Sequence, residues 1–440
     1  MKRNSIRGDS AAAIADSVEQ AVHAGSLPPG TGLPPIRQLA STLGVSPVTV
    51  AAAYRRLHSR GLVIGDGRRG TRIRANPPSP VPAIEKAPIL EGLVDLATGN
   101  PDPALLPPLE SALRGIGTPQ RLYGEAPALT PLLTFAAGEF ASDGIPADAM
   151  TVTSGGLDAI ERLLREHVRP GDRVALEDPT LPALIDLVNA SGYLVQPVAV
   201  DADGARPDAL TEAIARGVRA IVLTSRAQNP TGAALTTDRA AQLSRVLRGQ
   251  HEVLLIENDP AGPVSGVAAA TLCGGAHARW AAVRSVSKFL GPDLRVAIVA
   301  GDDLTIARLQ GRQSLGARWV SRILQELTLS LWSDPSSGRR LARAADVYTQ
   351  RRLAAIEALA AHGLTVAARS GFNIWIPVRE ETATVQALAD RGWAVAAGER
   401  FRIGTGPAIR VTVAALAVET APRFAADVAD AIHRSGAVSA

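Results

Sequence analysis

In SAAAIADSVEQAVHAG, residues 10–25, the apolar positions Ile14, Val18 and Val22 recur at spacing four among small and polar neighbours. That spacing lines one face of a helix. In PPIRQLASTLG, Ile36, Leu39, Ala40 and Leu43 stand at i, i+3, i+4 and i+7, a short amphipathic helix stopped by Gly44. VSPVTVAAAYRRLHSRG follows, with Ser46 as N-cap, Pro47 at the first helical position and Val50, Tyr54 and Leu57 on the buried face. LVIGDGRRGTRIR then changes period: strand-like runs flank a Gly/Asp turn, giving a hairpin with an arginine-rich tip. Two short helices around a glycine turn, then a basic hairpin, predict a winged helix-turn-helix over residues 1–74.

Residues 75–92, ANPPSPVPAIEKAPILEG, hold five prolines. Such a segment is neither a helix nor a central strand, and it predicts an extended, semi-rigid tether. From Leu93 onward strand-like and helix-like runs alternate. MTVTS precedes GLDAIERLLREHV, RVALED precedes LPALIDLVNASG, and AIVLTS and VLLIEN are short β-rich runs with helical stretches between. Alternation of this kind predicts an α/β fold on a mainly parallel sheet. After about Trp319 long helices precede FNIWIPV, a helix, the strand AIRVTVA and a final helix, a smaller α+β part. The expected organisation is therefore a head (1–74), a linker (75–92) and a body (93–440), the body divided into a large part to about 318 and a small part over 319–440.

Charge adds a function class. The whole chain carries +4, but residues 1–74 hold eleven basic and four acidic residues, so the remainder is slightly acidic. A basic head on an acidic body suits a polyanion such as double-stranded operator DNA. On the second helix Ser46, Val48 and Thr49 lie at the exposed N-terminal end, with Arg55 and Arg56 further along, placed for the major groove. Arg37 and the wing residues Arg68, Arg69 and Thr71 suit phosphate contacts, which position the head without reading bases. No run of about 18 apolar residues predicts a membrane span, and MKRNSIRGDS leads into no signal-peptide core. With a single cysteine, Cys273, the expectation is a cytoplasmic protein without disulfides. No pattern of metal ligands is expected.

Composition singles out one residue. The chain has three lysines against 43 arginines, and one lysine, Lys288, stands in SVSKFLGPDLR. An amine can lose its proton and attack a carbonyl; a guanidinium cannot. Ser285 lies three residues before it, Ser287 one before and Arg295 seven after. Hydroxyl, amine and guanidinium together suit a phosphorylated aldehyde. Ser154, Gly155 and Gly156 lie between a predicted strand and helix, where backbone N–H groups can close around an anion. Asn229 sits in the turn NPTG, and Arg410 on AIRVTVA can pair with a carboxylate.

In this order the residues resemble the fold-type I pyridoxal 5′-phosphate (PLP) enzymes of the aminotransferase class, over roughly 93–435. The head, SLPPGTGLPPIRQLASTLGVSPVTVAAAYRRLHSRGLV, resembles the GntR regulators. Together they are similar to the MocR-type regulators, nearest a branch linked with vitamin B6. The resemblance implies that Lys288 carries PLP as a Schiff base. Ser154, Gly155, Gly156, Ser285 and Arg295 would hold the phosphate, Ser287 would be a further cofactor contact, and Asn229 would meet the ring hydroxyl. Asn258 would face the pyridine nitrogen, Arg410 would receive an effector carboxylate, and Tyr123, in LYGEAP, would reach a phosphate across a homodimer.

The family usually places an acidic residue against that nitrogen, keeping it protonated so that the ring can act as an electron sink. In IENDPAG the position falls on Asn258, with Asp259 next to it. Pro260 and Ala261 stand where an aromatic commonly follows. Leu181, in EDPTLPAL, replaces a stacking Tyr. These departures imply a sensor with little turnover, responding to PLP or to an amino acid. Were Asp259 to occupy the Asn258 place, the ring would keep its proton. The competing expectation is a working aminotransferase with an appended head.

Overall fold

A computed structural model describes residues 6–23, 26–28, 30–59, 61–65, 70–74, 92–117, 122–275 and 277–437. The head has three helices, α1 (Ala11–His23), α2 (Ile36–Leu43) and α3 (Pro47–Ser59), and a hairpin of β1 (Val63–Gly65) and β2 (Thr71–Ile73). Its core contains Ile14, Val18, Leu39, Ala40, Val50, Tyr54, Leu57, Val63 and Ile73, which includes much of each predicted apolar face. Gly44, at φ 68°, ends α2 and its N–H returns to Ala40 O. Ser46 caps α3: its Oγ accepts from Thr49 N at 3.1 Å and lies 2.9 Å from Thr49 Oγ1. The hairpin is antiparallel, Val63 opposite Ile73. Its tip, with Arg68 and Arg69, and linker residues 75–91 lie outside the described residues.

The body opens with β3 (Val94–Leu96), α4 (Leu109–Gly115) and α5 (Thr130–Ser142). Strand-helix alternation follows: β4 (Ala149–Thr153), α6 (Gly156–His167), β5 (Arg173–Asp178), α7 (Pro182–Ala190), β6 (Leu194–Asp201), β7 (Gly204–Ala205) and α8 (Pro207–Ala215). Next come β8 (Val218–Thr224), α9 (Thr237–Leu247), β9 (Leu254–Asp259), β10 (Trp280–Ser285), β11 (Ala297–Gly301) and α10 (Asp303–Ser314). The eight strands β4 to β11 form one sheet in the order β4-β11-β10-β9-β8-β5-β6-β7. Strands β5, β8, β9 and β10 run parallel, while β11 is reversed against both β10 and β4. The parallel strands are buried along most of their length, as covered faces require.

The chain continues through α11 (Arg322–Ser333), α12 (Pro335–Ala361), β12 (Asn373–Pro377), α13 (Glu381–Ala389), β13 (Trp393–Ala397), β14 (Ala408–Thr412) and α14 (Ala421–Ala437). A second sheet has the order β12-β14-β13-β3. Its last strand comes from the start of the body: β3 pairs in parallel with β13, Leu96 beside Val395. The smaller sheet is thus not confined to 319–440. A three-residue strand gives no periodic signal, so pairing alone reveals β3. Among the described residues no helix is long and apolar enough to cross a membrane.

Candidate functional site

The site begins where β4 turns into α6. Gly155 sits at φ 97°, a left-handed conformation that favours glycine, and a Cβ there would come 3.0 Å from Arg295 Nη2. A Cβ on Gly156 would meet Ser285 Cβ at 3.6 Å and Asn258 Oδ1 at 3.7 Å. The fold therefore brings Gly155, Gly156, Asn258, Ser285 and Arg295 together from four separate segments. Arg295 itself is exposed, its guanidinium lying over the glycine turn. Ser285 Oγ donates to Ser287 Oγ at 3.2 Å. Ser154 N donates to Asp158 Oδ2 at 3.0 Å, and Arg162 holds that carboxylate at 2.7 Å, which fixes the first turn of α6.

Lys288 lies in the turn after β10, half-buried. Its Nζ donates to Gly99 O at 2.6 Å and stands 6.0 Å from the Phe372 ring centre. Arg410 projects from the middle of β14, beside Trp375 on β12 and Ala396 on β13. It is 3% exposed. Its Nη2 donates to Ala97 O, its Nη1 to Asn229 Oδ1 at 3.4 Å, and its Cζ lies 4.9 Å from the Phe401 ring centre. Nε has no hydrogen-bond partner. Burial pulls the guanidinium down to about 10, with the charge of Asp95 opposing. A buried cation held by neutral oxygens is costly until an anion joins it, so the site is chemically prepared for a carboxylate.

Asn258 and Asp259 point to opposite faces of β9, as successive strand residues must. Asn258 faces the glycine turn. Asp259 is buried on the other face, where Arg226 Nη2 donates to it at 2.8 Å, Arg284 Nε at 2.9 Å and Gly262 N at 2.8 Å. Both arginines also reach Asp143, Arg226 at 2.8 Å and Arg284 at 2.5 Å. Burial alone would raise the Asp259 carboxyl; the two guanidinium charges and the hydrogen bonds overcome it and hold it well below its usual range. Exchanging it with Asn258 would reverse the strand face and strand two buried arginines.

Residues 10–73 match the family described as bacterial regulatory proteins, gntR family, and residues 92–428 match aminotransferase class I and II. The chain belongs to the aminotransferase class I and II family, behind a GntR head. Over 432 residues it is 40% identical to the vitamin B6 salvage pathway transcriptional repressor PtsJ of Salmonella typhimurium, spanning 98% of this chain and 100% of that protein. The pyridoxine biosynthesis transcriptional regulator PdxR of Corynebacterium glutamicum is 29% identical over 56% of this chain and 58% of its own. Among solved structures, kynurenine aminotransferase of Pyrococcus horikoshii matches with TM-score 0.69 at 20% identity, covering 79% of this chain and 92% of that one. The alpha-aminoadipate aminotransferase LysN of Thermus thermophilus matches with TM-score 0.69 at 22% identity, over 80% and 94%. At these identities the structural matches speak for the fold.

Two further residues named from sequence, Tyr123 and Leu181, lie in connecting turns of the body. Tyr123 is 80% exposed; its ring meets Trp319 edge-on at 5.6 Å, with Arg318 5.5 Å from its centre. Leu181 is half-buried in the turn after β5. On the head, Arg37, Arg55 and Arg56 are exposed and Val48 is 72% exposed, whereas Thr49 is half-buried with its hydroxyl against Ser46, and Thr71 is half-buried on β2.

Sequence reasoning missed the support layer: Asp95, Ala97 and Gly99 beside the two cations, the Arg226–Asp143–Arg284 cluster, and Glu177. Glu177 is buried on β5, accepting from Thr224 N at 3.2 Å and Gln228 Nε2 at 3.3 Å. Gln228 in turn accepts from Thr231 N at 3.0 Å, shaping the turn that presents Asn229. Glu257, buried on β9, accepts from Leu272 N at 2.9 Å and Thr271 Oγ1 at 3.0 Å. Burial pushes both carboxyls up to about 7, their hydrogen bonds opposing. Raised acids make the folded state hold protons that the unfolded chain releases above about 4.5. Their stabilising contribution is full below that pH and is lost as pH rises through 7. Asp259 has the opposite sign, but its window lies below 3.8. Half-buried His167 and buried His277, both lowered by desolvation, act with the opposite sign as pH rises through 6.5, so the carboxyls are read by difference. The change in denaturation midpoint from pH 5 to pH 8 should be more favourable in Glu177→Gln and Glu257→Gln than in the unaltered protein. The same change with pH in the variants and the unaltered protein would contradict the assignment.

Proposed function

We propose that the chain is a homodimeric DNA-binding transcription regulator whose body binds PLP and uses it, or an amino acid held with it, as the effector signal. The residues fit the cofactor: an amine at Lys288, an exposed guanidinium over a glycine turn at Arg295, and hydroxyls at Ser285 and Ser287. When bound, PLP supplies an aldehyde for the amine and a ring able to draw in electrons. Gly155 and Gly156 admit the phosphate closely, and Arg410, with its unpartnered Nε, receives a carboxylate. The vitamin B6 role named in two relatives supports PLP itself as the signal. Exposed Leu122, Tyr123, Leu315 and Ile323, in segments flanking Trp319, support a dimer contact that would bring Tyr123 to the partner's phosphate.

One observation favours a sensor over a catalyst: Asn258, not Asp259, faces the cradle. An amide carries no charge to keep the pyridine nitrogen protonated, so carbanion chemistry has weak support. The deciding experiment measures binding of the full chain to the DNA upstream of its own gene, with and without PLP, at one salt concentration, because phosphate contacts make the affinity salt-dependent. A PLP-dependent shift is expected. Equal affinity in both conditions moves the effector role to an amino acid at Arg410. Absence of specific DNA binding, with brisk transamination of any amino acid, would restore the enzyme reading.

A further inference from the structure

The segment joining linker to body runs directly over both cations of the site. Residue 92 is followed by β3, and β3 by ATGN, residues 97–100. Asp95 folds this turn: its Oδ1 accepts from Ala97 N and Thr98 N, each at 2.9 Å, and its Oδ2 accepts from Thr98 Oγ1. The turn offers Ala97 O to Arg410 and Gly99 O to Lys288. Gly99 is buried at φ 69°, and a Cβ on it would come 2.9 Å from Arg410 Nη1, so the backbone lies as close to the guanidinium as it can. Anchors flank the turn. Before it, Val94 N donates to Gly392 O at 2.9 Å and β3 joins β13. After it, Asp102 N donates to Tyr348 Oη at 2.9 Å and the Asp102 carboxylate pairs with Arg351 at 2.8 Å.

We propose that residues 95–100 are a strap that reads occupancy of Lys288 and Arg410 and relays it to the linker, with Asp95 as its positioning residue. This rests on the reading of Lys288 and Arg410 given under the proposed function. Both cations are held by carbonyls of one short turn, so filling the site breaks the hold on Lys288 and disturbs the hold on Arg410. When the Lys288 amine condenses with an aldehyde, its two amine hydrogens leave with the aldehyde oxygen as water. Three N–H donors of the ammonium become at most one, and Gly99 O loses its partner. A carboxylate forked onto the free Nε and the adjoining Nη2 of Arg410 would share Nη2 with Ala97 O and weaken that bond. Carbonyls buried without partners are unfavourable, so the turn shifts toward new ones. Its N-terminal side leads through β3 to the linker within four residues, so of the segments that build the site this one is nearest the head in sequence.

The test is amide hydrogen exchange of the full chain over residues 92–101, with and without PLP, for the unaltered protein, Asp95→Ala and Asp95→Asn. Bound PLP is followed by absorbance and operator affinity is measured in parallel. In the unaltered protein PLP should raise exchange at Ala97 and Thr98 several-fold. Asp95→Ala should keep PLP absorbance, exchange fast already without PLP, and lose the PLP-dependent change in DNA affinity. Asp95→Asn, whose Oδ1 still accepts from both N–H groups, should retain both responses. PLP binding with unchanged strap exchange overturns the proposal, as does Asp95→Ala with a full DNA response. Should Asp95→Ala not fold, the exchange of the unaltered protein decides alone. A strap that responds to PLP while DNA affinity does not would overturn the relay and the PLP-regulator reading, leaving occupancy sensing by the strap supported.

Discussion

Lys288→Ala should not retain PLP: the yellow absorbance expected of the PLP-loaded protein through gel filtration should be absent, while operator binding by the head persists and no longer changes with added PLP. The reasoning is chemical. Ser285, Ser287, Arg295 and the glycine turn would hold a phosphate through reversible contacts, but only an amine makes a covalent bond to the aldehyde. Among the chain's three lysines, Lys2 and Lys86 lie outside the described residues, and Lys288 stands beside the cradle. Persistence of the absorbance in Lys288→Ala would remove Lys288 from the site's chemistry. Loss of operator binding together with the absorbance would show that DNA binding requires a filled site.

The second large effect concerns stability. Asp259→Ala should destabilise the body by about 3–5 kcal/mol, seen as a lower urea midpoint, because removing one partner of a buried charge cluster leaves the others uncompensated. Arg226 and Arg284, with side chains 6% and 3% exposed, would then share Asp143 alone. The same substitution should lower PLP affinity, since Asp259 sets the face on which Asn258 meets the cradle. A midpoint within error of the unaltered protein would mean that the cluster contributes little net stability. Arg226→Met with Asp259→Leu, which empties the cluster of one charge of each sign, should cost less than Asp259→Ala alone.

Much of the site was legible because its chemistry is local in sequence. Lys288, Ser285, Ser287 and Arg295 fall within eleven residues, and the lysine is conspicuous in an arginine-rich chain. Spacing along the strand put Asn258 at the ring position, with Asp259 as the residue that could displace it; the strand's facing turns Asp259 the other way. Asp95, Ala97 and Gly99 gave no signal. Two of the three act through backbone carbonyls, which any residue carries, and the third through an ordinary turn-forming carboxylate. Asp143, Arg226 and Arg284 gave no signal of pairing in a chain with 46 basic and 42 acidic residues.

By itself the sequence determined the order of elements and the two-part design. Helical period in the head, strand-helix alternation in the body and prolines between them are properties of near neighbours, and near-neighbour physics sets them. It also determined which residue types the site can use. Tertiary structure alone decided which of them meet. It placed β3 beside β13 some 300 residues later in the chain, turned Asp259 away from the cradle into an ion cluster, and laid the carbonyls of residues 97 and 99 on Arg410 and Lys288. Such pairings depend on strand order and register, which are set by the packing of the whole body and leave no periodic trace in the chain.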